Sequence, residues 1–118
     1  VSLESDLFAA LGPLCSNRVF PDVAPIKTAR PYVTYQQVGG EAENFLESTV
    51  VGKRNARMQV NVWADTRLVA MTLARSIEDT LVVNTALRAY VLGAPVSLYE
   101  DETSPPLYGT RQDFSIWY

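Results

Sequence analysis

Residues 54–63 and 110–118 alternate apolar and polar positions with the two-residue period of a β-strand. From Arg54 to Trp63, Ala56, Met58, Val60 and Val62 fall on one side, and Arg57, Gln59, Asn61 and Trp63 on the other. From Thr110 to Tyr118, Gln112, Phe114, Ile116 and Tyr118 oppose Arg111, Asp113, Ser115 and Trp117. The pattern predicts a sheet with one face turned to the core and the other carrying arginines, amides and both tryptophans. Two readings of that second face stand side by side. Tryptophan and arginine are enriched in contact surfaces, whereas a solvated antiparallel sheet alternates in the same way, with long side-chain stems covering it. A third reading, a second core beneath another element of the chain, requires both indoles to be nearly inaccessible.

Elsewhere the pattern is helical or broken by turns. Ser2 is placed to cap a helix from Leu3 to Leu11, with Glu4 and Asp6 in its first turn and Leu3, Leu7, Phe8 and Leu11 as its buried stripe. Gly12-Pro13 ends it. Val19 to Val23 reads as a short edge strand limited by Pro21 and Pro25, and Tyr32 to Val38 as a strand stopped by Gly39-Gly40. Asp65 is the expected N-cap of a second helix, from Thr66 to about Val82, with Ala70, Leu73, Ala74, Ile77 and Leu81 on one stripe and an exposed Arg75/Asp79 pair. Residues 84–91 fit either a strand or a helical turn. Val96 to Glu100, a polar turn over 101–106 and Leu107 to Tyr118 complete a hairpin.

Together these elements predict an α+β fold. We expect an antiparallel or mixed sheet of four to five strands, with two main helices on one face in α-β-β-α-β-β order. With 118 residues, no repeat and no composition break, 1–118 reads as a single domain. The segment 40–53 is longer than a tight hairpin needs. It places Glu41, Glu43 and Glu47 around Phe45 and Leu46, a combination that suits docking into a neighbouring molecule or tucking back onto the sheet.

Composition excludes more chemistry than it offers. The chain contains no histidine, which removes Ser-His-Asp and Cys-His arrangements and histidine metal sites. Cys15 is the sole cysteine, so an internal disulfide and a thiolate cluster are excluded; it reads as a small buried hydrophobe. Glu100-Asp101-Glu102 reads as a solvated turn rather than a cation site. Gly52-Lys53 is followed by Arg54, where a phosphate loop needs Ser or Thr. No residue set nominates catalysis, a cofactor or a metal, and the chain is expected not to be an enzyme. The net charge of −3 and pI near 4.8, with scattered basic residues, argue against nucleic acid as a bound partner. No apolar run approaches the ~18 residues of a membrane span, and Val1 to Phe8 lacks a basic region before an apolar block, so the expectation is synthesis in the cytoplasm.

Several stretches carry a resemblance: Ser2-Leu3-Glu4 through Leu11, Arg30-Pro31-Tyr32-Val33-Thr34-Tyr35-Gln36, the run Arg54-Asn55-Ala56-Arg57-Met58-Gln59-Val60-Asn61-Val62-Trp63-Ala64, and Tyr108-Gly109 with Arg111-Gln112-Asp113-Phe114-Ser115-Ile116. In these the chain resembles the tail-completion, or tail-terminator, family of tailed bacteriophages and prophages. The resemblance implies a structural α+β subunit, monomeric in solution until it meets a finished tube, then assembled as a six-subunit ring. Its partners would be further copies of itself, the tail tube protein and the head connector protein, with DNA only as transiting cargo and no membrane. Its place would be the virion tail, reached from the cytoplasm of the bacterial host. An acidic balance suits a channel that DNA must pass. On this reading Arg57, Gln59, Asn61, Trp63, Arg111, Asp113 and Trp117 form a sheet-face contact, and Glu43, Phe45, Leu46 and Glu47 a loop contact. Two other readings remain: a head-tail connector component on the portal side, and a small ligand-binding or regulatory domain, which needs an apolar pocket with converging polar groups.

Overall fold

A computed structural model describes residues 2–40, 54–103 and 105–118. Helix α1 (Leu3–Leu11) starts at Ser2, whose hydroxyl accepts from the Ser5 amide at 3.1 Å while the Ser5 hydroxyl accepts from the Ser2 amide, a reciprocal cap. Leu3, Leu7 and Leu11, four residues apart, form its buried stripe. Phe8, expected in that stripe, is 41% exposed, because it lies about 100° around the helix from Leu7. One 3-10 turn (Gly12–Leu14) follows. Burial pushes the Cys15 thiol above its ordinary pKa, against a smaller opposing effect of Arg18, and the buried residue behaves as the small hydrophobe expected of it.

Among the described residues the sheet has six strands: β1 (Val19–Pro21), β2 (Tyr32–Gln37), β3 (Asn55–Ala64), β4 (Tyr90–Val91), β5 (Val96–Glu100) and β6 (Leu107–Trp117). Their order is β1-β2-β3-β6-β4, with β5 also paired to β6. Of these strands β1 runs parallel to its neighbour β2, and the other pairs among the described residues are antiparallel. The count exceeds the four to five strands expected, and the order of main elements is α-β-β-β-α-β-β-β. The order differs at two places: before α2 by β1, the short edge strand read at Val19 to Val23 but not counted in the expected order, and after it at residues 84–91. The Asn84 side chain accepts from the amides of Ala86 and Leu87 at 2.9 and 3.2 Å, closing a turn that frees Tyr90 and Val91 to pair with Ser115 and Phe114.

Helix α2 (Arg67–Val82) is capped by Thr66, whose hydroxyl accepts from the Val69 amide at 3.2 Å. Asp65, the expected cap, instead forms an ion pair with Arg30 at 2.9 Å. Thr66→Ala should therefore cost about 1 kcal/mol of stability in denaturant titrations, and Asp65→Ala less. Ala70, Leu73, Ala74, Ile77 and Leu81 are all buried, as expected. The small Ala74 and the Ile77 side chain close on Val60, Val62 and Phe114, where α2 crosses the two central strands. Arg75 and Asp79 are exposed, and the ion pairs found among the described residues are Arg30–Asp65 and Arg57–Asp113. Both helices contribute to one core with Ala56, Met58, Val60, Val62, Phe114 and Ile116 of the sheet.

Candidate functional site

Register decides which polar side chains meet on the sheet face away from that core. Residues directly opposite across antiparallel strands share a face, so β2, β3 and β6 build rows. Tyr32, Trp63 and Gly109 form one; Thr34, Asn61 and Arg111 the next; then Gln36, Gln59 and Asp113; then Arg57 with Ser115; and finally Asn55 with Trp117. The structure thus brings Arg57, Gln59, Asn61, Trp63, Arg111, Asp113 and Trp117 onto one surface. Glu43, Phe45, Leu46 and Glu47 lie outside the described residues.

The two indoles are partly buried, neither inaccessible nor free. A second core over this face would have closed both. Trp63 lies against Gly109: a Cβ there would come within 2.7 Å of Trp63 Cε3. Trp117 stands in the last row, eight residues along β3 from Trp63, about 26 Å away at a strand rise near 3.3 Å per residue. Between them Arg57 donates through Nε and Nη2 to Asp113 Oδ2 at 3.0 and 2.8 Å, a diagonal pair that is part-exposed and contributes at most about 1 kcal/mol. Arg111 is exposed and has no ion-pair partner among the described residues. With two arginines against one aspartate, the face is positive on a chain of net charge −3.

A cleft of 460 Å³ lies between Val38, Gly39, Gly40, Asn55, Arg57, Leu92 and Ser115. A smaller one of 170 Å³ shares Arg57 and Leu92 and reaches Val96, Arg111 and Asp113. The two form a shallow groove along the β6 side of the face. Its walls mix charged and apolar groups rather than making the apolar pocket that a ligand-binding domain would need.

Two residues that organise this surface were not singled out in the sequence. Gln112 belongs to the core face, yet its amide donates to Glu78 Oε1 at 2.7 Å and to the Gly93 carbonyl at 2.9 Å. It thereby holds the segment where four residues, 92–95, oppose two, 112 and 113, between β4 and β5. A lone amide on an otherwise apolar strand face was its signal. Arg30 donates to Asp65 and to the carbonyls of Pro105 and Pro106, at 2.9, 3.1 and 3.2 Å, and pins the β5–β6 turn against the start of α2. No pattern in the sequence marks a pairing across 75 residues. On the helix side, burial first and the hydrogen-bonded Glu4 carboxylate second raise the Tyr35 phenol above its ordinary pKa.

Among the described residues no group of three or more His, Cys, Asp or Glu is placed to hold a metal ion, and no helix is long and apolar enough to cross a membrane. What the fold and this face define, among the described residues, is a small α+β protein with helices on one side of the sheet and a polar and aromatic face on the other. The family model described as tail completion protein gp17 matches residues 4–118, and the chain belongs to that family of phage tail-completion proteins. No curated protein sequence matches the chain.

Proposed function

We propose that this tail component closes the tail tube as a ring of identical subunits, six as the resemblance implies, and offers the surface to which the head connector joins. The observation that carries the reading is the sheet face, where Arg57 and Arg111 are exposed, Trp63 and Trp117 are partly accessible, and none of the described residues forms an element that covers them. A ring requires two different patches per copy, each typically about 800 Å². The sheet face supplies one. The stretch Glu43, Phe45, Leu46 and Glu47 is the second, its carboxylates complementing the excess of arginine on the neighbour's sheet. Net negative charge leaves DNA free to pass, since clustered lysines would retain phosphates.

Deleting the gene and imaging lysates by electron microscopy tests this. Tails of uncontrolled length, or tails that never join heads, rescued by the intact gene, are expected. Normal virions would remove the reading. A copy located on the portal side of the joint would reassign the chain to the connector, and a lumen lined by lysine and arginine would remove the charge argument.

A further inference from the structure

At the start of α1 the core side of the sheet is left open by a cavity of about 320 Å³, whose walls include Leu3, Glu4, Asp22, Tyr35, Met58 and Tyr118. Leu3, Tyr35 and Met58 are buried and make part of the wall apolar, while Glu4 and Asp22 are exposed. Both carboxylates add to the effect of burial in raising the Tyr35 phenol above its ordinary pKa, so both lie close to it. Among the described residues neither Glu4 nor Asp22 forms an ion pair, and no lysine or arginine lines the cavity. Two uncompensated carboxylates beside apolar side chains prescribe the chemistry of an occupant. A neutral surface laid over them would bury both charges unpaired, at a large cost in desolvation. A guanidinium answers the whole site: it donates to two carboxylates at once, rests its plane on a phenol ring and packs its aliphatic stem on leucine and methionine. The volume is at the low end of the ~300 to 1,000 Å³ of ligand sites, room for one long side chain rather than a cofactor.

We propose, resting on the ring reading above, that this cavity receives the Arg111 guanidinium of a neighbouring copy of the chain. Charge complementarity selects the occupant. Arg111 stands exposed on the sheet face with no ion-pair partner among the described residues, whereas Arg57 is held by Asp113. The cavity of its own copy is out of reach. Tyr35 and Met58 belong to the core side of the sheet, and Arg111, opposite Asn61, to the other. The arginine of one copy therefore meets the carboxylates of the next. Because the two patches differ, the contact runs head to tail and repeats around a ring rather than closing a pair. The cavity also adjoins the second patch named above. Gln37 pairs with Met58, and Arg54 exchanges backbone hydrogen bonds with Tyr118, at the end of the sheet where β2 leads into residues 41–53 and β3 follows them.

Charge exchange in a complementation assay, with the gene deleted from the phage, tests the proposal. Arg111→Glu and Glu4→Arg should each lower the titre at least tenfold while circular dichroism of the purified variants matches the parent. The two changes in one chain should recover at least tenfold over the worse single variant, because opposite charges then meet again at every joint. A second measurement leaves both charges in place. Gln36→Cys, on the cavity wall, combined with Asn61→Cys, beside Arg111, should be joined by a short bismaleimide in purified tails into covalent species larger than a dimer, which neither single cysteine variant gives. Absence of recovery, or a double-cysteine chain that stays uncrosslinked in the tails, overturns the proposal. Recovery obtained only from compensating changes in another tail gene also overturns it, by assigning the cavity to that protein. The two readings fail separately: normal virions on deletion remove the ring, whereas the expected deletion phenotype without recovery on charge exchange removes this contact alone.

Discussion

A chain carrying Arg111→Glu with Trp117→Ser should fold as the parent does and yet lower the titre of infectious particles by at least a hundredfold in a complementation assay. Arg111 is exposed without an ion-pair partner among the described residues, so its reversal removes no contact that holds the subunit. Trp117 lies in the outermost row of the sheet face, opposite Asn55, with its indole only partly buried. In a contact, arginine and tryptophan of this kind typically contribute about 2 kcal/mol or more each, close to thirtyfold in affinity, and the proposed ring would repeat the loss at every joint. The melting temperature of the purified variant should move by only a few degrees. Arg75→Glu, on the exposed side of α2, is the matched control and should leave the titre unchanged. Loss of titre from the control as well would indicate a general charge effect. Parent-like titre from the double variant would show that the sheet face is not a contact surface. Arg57 is left out of the variant because it also holds Asp113, and its removal would confound contact with local order.

Why the face was legible and its supports were not follows from the range over which each interaction acts. Alternation in β3 and β6 is a local property: Ala56, Met58, Val60 and Val62 are buried where the period of two places them, and their polar neighbours turn outward. The α2 stripe is equally local, and its five apolar positions are buried as expected. Errors begin where two residues compete for one local role. Asp65 and Thr66 are both good caps, and the choice between them was made by Arg30, thirty-five positions away. The strand count failed for a related reason. Tyr90 and Val91 become a strand only because Asn84 closes a turn and Gln112, from the opposite side of the hairpin, holds the Gly93 carbonyl. The family resemblance drew on the same alternating strands, and the matched family covers nearly the whole chain. What the alternation specified was a surface; which partner meets it is a property of two molecules and is not written in one.

Gly109→Ala should destabilise the subunit by about 2 to 3 kcal/mol, read as a fall in melting temperature of roughly 8 to 12 °C. The usual expectation for glycine inside a strand is the reverse, since alanine loses less conformational entropy on folding and stabilises by about 0.5 to 1 kcal/mol. Space decides the sign here. A Cβ at this position meets the Val62 carbonyl oxygen and Trp63 Cε3, both at 2.7 Å, and the first of these is backbone that cannot turn aside. Relief requires β3 and β6 to separate where Val62 pairs with Thr110 and Trp63 with Gly109. Combining Gly109→Ala with Trp63→Val tests this division, because it removes the indole but leaves the carbonyl. Recovery should be partial, at most about half of the loss. Full recovery would show that the ring alone sets the constraint and that the ladder is not strained by the new methyl. The same geometry would tie stability to assembly: with alanine at 109 the Trp63 indole is pushed off its seat beside Tyr32, so the variant should lose particle yield even at a temperature where it stays folded, whereas a change of similar cost on the helix side, such as Leu81→Ala in the core at about 2 kcal/mol or more, should not.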